Sequence, residues 1–242
     1  MQFGDELLVP DLGSDKIWRL GQEGNTWVIK GSIDQTPGSG PRHLVVHGTD
    51  YTALRNRKLT QNRAVDSTVY TIHEMGNTVT QHILAPLSAG VTATLRVASV
   101  SILPPDLPAE AKMGAAELLY APYPMPLLYA SNRNLALDPA NIGDGDTITI
   151  LSTTPALKPV GYVKTGLAQI RAMAFLGDND QYLLAAGLVG GGVKVYERVS
   201  EKQGWLKVVA SLDDTRIVQP TSFVSVYVPA ILMFILHLKW KS

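Results

Sequence analysis

The chain contains no cysteine, so it has no disulfide framework, no thiolate metal site and no thiol nucleophile, a composition that suits a reducing compartment. It carries no net charge, with 21 lysines and arginines against 21 aspartates and glutamates. That balance leaves no electrostatic footprint for nucleic acid and confines charge chemistry to local clusters. No HExxH motif occurs, and His73 and His82 lack a metal-ligand spacing, so neither a metal nor another cofactor is expected. A Gly-x-Ser-x-Gly elbow for a serine hydrolase is absent too. The glycines between Gly187 and Gly192 resemble a phosphate loop, but no helical pattern follows, and they read as a hairpin turn. The first residues lack the basic and apolar regions of a secretory signal, and a cytoplasmic location is expected.

Convincing amphipathic helix periodicity is also missing. What fills the 242 residues, 45% of them hydrophobic, is a succession of short runs rich in Val, Ile, Thr, Tyr and Leu, punctuated by Gly, Pro, Asn and Asp. Comparison of segments exposes a degenerate repeat. Apolar strand, polar turn and second strand recur at residues 7–18, 69–80, 127–150 and 182–196. A further strand precedes three of these hairpins, at 42–46, 115–120 and 170–175, and another follows each, at 27–33, 95–102, 160–164 and 206–212. Asp11, His73, Asn132 and Gly187 mark the repeat at spacings of 62, 59 and 55 residues. Four strands per unit, lengthened by loops, is the grammar of an all-β propeller with four-stranded antiparallel blades. A sandwich is the competing architecture, although its strands need not repeat the same hairpin chemistry.

Two stretches depart from this grammar. Residues 49–66, with Arg55, Arg57, Lys58 and Arg63, are polar and basic and read as a solvated insertion. The segment 223–238 is almost wholly apolar, yet it is shorter than the ~20 residues of a spanning helix and contains Pro229 and His237. A membrane anchor is not expected. The chain thus divides into residues 1–223, the propeller, and 224–242, a tail outside the pattern.

Several polar side chains stand at the ends of the apolar strands. Arg42 follows Pro41 at the start of one strand, Arg171 occupies the same place in a later repeat, and Arg133 ends a hairpin strand in a third. A lone arginine is ordinarily a surface residue. Repetition is what makes these three candidates, because guanidinium forks aimed at one axis would bind a carboxylate or phosphate bidentately. Glu74 lies at the strand end corresponding to Arg133, where it could activate water or simply pair with an arginine. His43, beside Arg42, could transfer a proton, but strand neighbours point to opposite faces and it could equally be a core histidine. Glu117 is a weaker candidate on an inner strand.

These segments resemble the lactonase family of seven-bladed β-propellers, which includes bacterial 6-phosphogluconolactonase and the fungal 3-carboxy-cis,cis-muconate lactonizing enzymes. The likeness rests on Gly40-Pro41-Arg42-His43, on Glu74 with Asn77-Thr78-Val79-Thr80, on Ser131-Asn132-Arg133 with Gly145-Asp146-Thr147-Ile148, and on the stretch from Gly191 to Arg198. It covers roughly residues 7–223. The resemblance implies catalytic roles for Arg42, Glu74 and Arg133 with His43 beside them, no metal, and a small anionic substrate, either a phosphosugar lactone or a carboxymuconate; Arg171 and Glu117, candidates from the repeat and the inner strand, are expected to contact that substrate. Seven blades of about 40 to 50 residues need well over 300, so this chain supplies four to five of them. Missing blades are expected upstream. Their loss allows a second reading, an inactive propeller fragment that serves as a binding or scaffold module and self-associates through open blade edges.

Overall fold

A computed structural model describes residues 1–3, 5–47, 67–84, 94–107, 110–138, 140–214, 216–228 and 231–236. Four antiparallel four-stranded sheets follow one another along the chain. The first comprises β1 (Gln2–Phe3), β2 (Glu6–Asp11), β3 (Lys16–Glu23) and β4 (Thr26–Asp34); the second β5 (Pro41–His47), β6 (Ser67–His73), β7 (Thr78–Leu84) and β8 (Leu95–Ser101). The third holds β9 (Met113–Ala121), β10 (Leu127–Asn134), β11 (Thr147–Ser152) and β12 (Lys158–Lys164), and the fourth β13 (Ala168–Leu176), β14 (Tyr182–Gly190), β15 (Val193–Arg198) and β16 (Leu206–Leu212). A two-stranded hairpin, β17 (Phe223–Val228) and β18 (Ile231–Leu236), ends the described chain. This is the all-β architecture of four-stranded antiparallel blades that the strand grammar implies, with four such blades among the described residues where four to five were expected. The boundary expected after Phe223 falls inside β17, and the basic insertion at 49–66 lies outside the described residues.

The chain forms two compact units, Met1–Ser101 and Ile102–Ser242. In each, sequence alternation sets burial. The middle strands carry apolar residues on both faces and are enclosed, as β10 and β11 are along nearly their whole length. Each fourth strand is largely exposed, β16 almost entirely. Their lysines and arginines, Lys30, Arg96, Lys158 and Lys207, protect these open edges from pairing. In the first unit Leu8, Ile17 and Ile33 of one blade pack with Leu44, Val69 and Leu84 of the next. In the second, Tyr129, Ile148 and Ile150 pack with Ile170, Leu183 and Tyr196. Ile217 and Phe223 then cover the other face of the last blade, against Ala172, Leu184 and Val193. Among the described residues no helix is long and apolar enough to cross a membrane.

Candidate active site

In the first unit, Arg42 is an extra residue in its ladder. Pro41 pairs with His73 and His43 with Ile72, so the register shifts by one residue at Arg42. Such a bulge re-aims a side chain and is frequent beside active sites. The Arg42 Nη1 donates to Glu74 Oε2 at 2.6 Å. Both side chains keep part of their surface in solvent, 15% for Arg42 and 24% for Glu74. The pair is therefore formed and still accessible to a small molecule.

Backbone bonds fix both members. The Glu74 N–H donates to the Gly40 carbonyl at 2.8 Å, and those of Met75 and Gly76 donate to the Ser39 carbonyl at 3.1 and 2.9 Å. Gly40 has φ +64°, and a Cβ there would lie 3.2 Å from Leu12 Cγ. Conformation and space both require glycine. From the preceding blade, Asp15 accepts the Gly38 and Gly40 N–H groups at 2.7 and 2.8 Å. These bonds, that from Gly40 foremost, hold the Asp15 carboxyl below its ordinary pKa.

The histidines divide. His43 is half-buried, and the bulge suspends the two-residue alternation at Arg42, so the reason for turning His43 away from it lapses. His73 is a core histidine, with Nε2 2.9 Å from Gln35 Oε1 and its pKa lowered by burial. His82 is driven down to about 4, chiefly by burial, and among the described residues its Nδ1 has no hydrogen-bond partner. With Gln35, Thr36 and Arg96 it lines an open cavity of about 590 Å³.

In the second unit, Asn132 pairs with Ala115 as His73 pairs with Pro41 in the first, so Arg133 stands one residue beyond, where Glu74 stands there. It is nearly sealed, at 3% exposure. Its Nε and Nη2 donate to the carbonyls of Gly114 and Ala115 at 3.2 and 3.0 Å, so it braces the neighbouring strand. Nearby, Asp146 accepts the N–H groups of Asn134 at 2.8 Å and Gln169 at 2.5 Å. Burial nonetheless pushes its carboxyl up to about 6, against those bonds and the charge of Arg133.

Arg171 repeats the backbone setting of Arg42. Ile170 pairs with Gly187 and Ala172 with Ala186, so the register again shifts by one residue at Arg171. It is half-buried, and among the described residues its guanidinium has no hydrogen-bond or ion-pair partner. Glu117 lies at the corresponding bulge of β9. Its N–H donates to Ser131 Oγ at 2.9 Å, and that hydroxyl donates to the Ile170 carbonyl at 3.1 Å, joining two inner strands. Asp15, Ser131 and Asp146 are the residues that sequence reasoning missed. The aspartates had a signal, since in two repeats an aspartate immediately precedes the third strand.

A family model described as "Lactonase, 7-bladed beta-propeller" matches residues 3–221. A search of curated proteins returns no significant match. Among solved structures, one provisionally described as a 6-phosphogluconolactonase from Bacteroides fragilis is 24% identical, with a TM-score of 0.63 over 96% of this chain and 55% of its own. The Pseudomonas aeruginosa periplasmic gluconolactonase is 20% identical, with a TM-score of 0.63 over 96% and 54%. A functionally unknown protein from Desulfotomaculum acetoxidans is 10% identical, with a TM-score of 0.54 over 93% and 61%. At these identities the likeness carries the fold. The chain spans just over half the length of the first two.

Proposed function

Since the chain belongs to the lactonase family of seven-bladed β-propellers, we propose that it opens the lactone ring of a small anionic sugar acid, 6-phosphogluconolactone being the representative substrate. The observation that carries this reading is the Arg42–Glu74 pair, partly open to solvent and set on a bulge. Glu74, with His43 as the other candidate, takes a proton from water as the water oxygen attacks the lactone carbonyl carbon. The Arg42 guanidinium stabilises the resulting oxyanion. The ring C–O bond then breaks, and the departing oxygen receives the proton, giving the open hydroxy acid. Arg171, in the second unit, is by itself a guanidinium fork suited to an anionic group. The burial of Arg133 fits a bracing role better than a substrate contact. Neither a metal nor a cofactor enters these steps.

Family membership also embraces cyclisation of 3-carboxymuconate, in which arginines hold the carboxylates and the same proton donors act. A paired assay separates the two: loss of lactone from 6-phosphogluconolactone against loss of diene absorbance from 3-carboxy-cis,cis-muconate. Lactone loss alone is expected. Diene loss alone would move the assignment to the cycloisomerase. Loss of neither from a folded chain would favour the binding or scaffold reading.

A further inference from the structure

Asp15 and Asp146 occupy equivalent places in two blades. Asp15 directly precedes Lys16, the first residue of β3, and Asp146 directly precedes Thr147, the first residue of β11. Each reaches forward to the next blade of its own unit. Asp15 accepts the N–H of Gly40 at 2.8 Å, two residues before Arg42; Asp146 accepts the N–H of Gln169 at 2.5 Å, two residues before Arg171. Both acceptors hold a residue in the left-handed region, Gly40 at φ +64° and Gln169 at φ +56°. Both arginines are then the inserted residue of a bulge.

The same parts recur in the same order: a turn carboxylate, a left-handed residue two positions ahead of an arginine, and a bulge. For Gln169 the conformation is unfavourable without an external bond, because its Cβ crowds the following carbonyl. The remaining repeats supply a contrast. The residue before β7 is Asn77, and the next inner strand has Ala116 and Glu117 at its bulge instead of arginine. The residue before β15 is Gly192. Within this chain, aspartate stands at the turn where an arginine stands at the next bulge.

We propose that Asp15 and Asp146 are positioning residues, each within its own unit fixing the direction of the arginine two residues beyond the N–H it accepts, and so the grip of that arginine on an anion. The anion-holding role of those arginines is taken from the proposed function. The carboxylate can accept two N–H groups at once, Gly38 and Gly40 for Asp15, and Asn134 and Gln169 for Asp146. An amide cannot, since its NH₂ would face one of them.

The test uses the full chain and its Asp15→Asn, Asp146→Asn, Arg42→Ala and Arg171→Ala variants. The backbone order of residues 40–42 and 169–171 is measured by NMR relaxation, and the affinity for 6-phosphogluconate by calorimetry well below each melting temperature. The expected result is loosening of 40–42 only in Asp15→Asn and of 169–171 only in Asp146→Asn, with affinity weakened tenfold or more in each aspartate variant whose matching arginine variant loses it. Unchanged order in both segments would overturn the positioning role, as would affinity within twofold of wild type where the arginine variants lose it. Selective loosening with no 6-phosphogluconate binding by wild type would uphold the positioning role and sink the proposed substrate instead.

Discussion

Arg42 and Glu74 meet at 2.6 Å across the mouth of one hairpin, and both remain partly open to water. A purely structural ion pair of this exposure is worth about 0–1 kcal/mol. Its geometry matters more for what the fork can hold than for stability. Arg42→Lys keeps the charge and loses the planar fork. The expected outcome is a fall in kcat/KM on 6-phosphogluconolactone of about 10- to 100-fold, corresponding to roughly 1.4 to 3 kcal/mol of transition-state binding. Unfolding free energy should move by less than about 1 kcal/mol, as urea titration would record.

Gly40→Ala tests the support beneath that pair. The substitution places a Cβ at φ +64° and 3.2 Å from Leu12 Cγ, so strain and crowding act together. A stability loss of about 1–3 kcal/mol is expected, with kcat/KM reduced because the Gly40 carbonyl also anchors the Glu74 N–H. Unaltered urea midpoint and activity would show that the loop relaxes freely.

Ser131→Ala removes one hydroxyl that serves two inner strands. It leaves the bulge N–H of Glu117 and the Ile170 carbonyl without their shared partner. A buried group left unsatisfied costs about 1–3 kcal/mol. Hydrogen exchange should quicken at residues 115–118 ahead of the rest of the blade. Uniform exchange throughout the blade would argue that Ser131 contributes nothing local.

Acid should weaken the first unit. The pKa of His82 is lowered from 6.5 to about 4 on folding, so between those values the folded state binds fewer protons than the unfolded one. Stability is full above pH 6.5 and declines as pH falls toward 4, by roughly 3 kcal/mol in total. Asp146 in the second unit acts with the opposite sign. Raised from 3.8 to about 6, it favours the folded state at low pH and loses that contribution as pH rises from 4 to 6. Hydrogen exchange of peptides from residues 67–84 and 140–152 at pH 7.5 and pH 5 separates the two. The first should lose protection at pH 5 relative to the second, and the loss should shrink in His82→Gln.

The strand order was legible because each blade repeats short runs rich in Val, Ile, Thr, Tyr and Leu between turn residues. The middle hairpins at 7–18, 69–80, 127–150 and 182–196 coincide with β2–β3, β6–β7, β10–β11 and β14–β15. Arg42 and Glu74 were legible as charges at strand ends. Bulges were not, because an inserted residue leaves no trace in composition, and they govern the setting of Arg42, Arg171 and Glu117. Nor was the enclosure of Arg133, which depends on two carbonyls 18 and 19 residues away. The blade-to-blade bonds of Asp15 and Asp146 escaped for the same reason: their partners are backbone N–H groups, which every residue but proline possesses.

The reaction itself is tested most directly by the initial rate of 6-phosphogluconolactone opening, corrected for spontaneous hydrolysis, in wild type and Glu74→Gln. If the Glu74 carboxylate takes the proton from water, the variant should retain its fold and lose about 10²- to 10⁴-fold in kcat. A folded Glu74→Gln protein that opens the lactone at the wild-type rate would contradict the account.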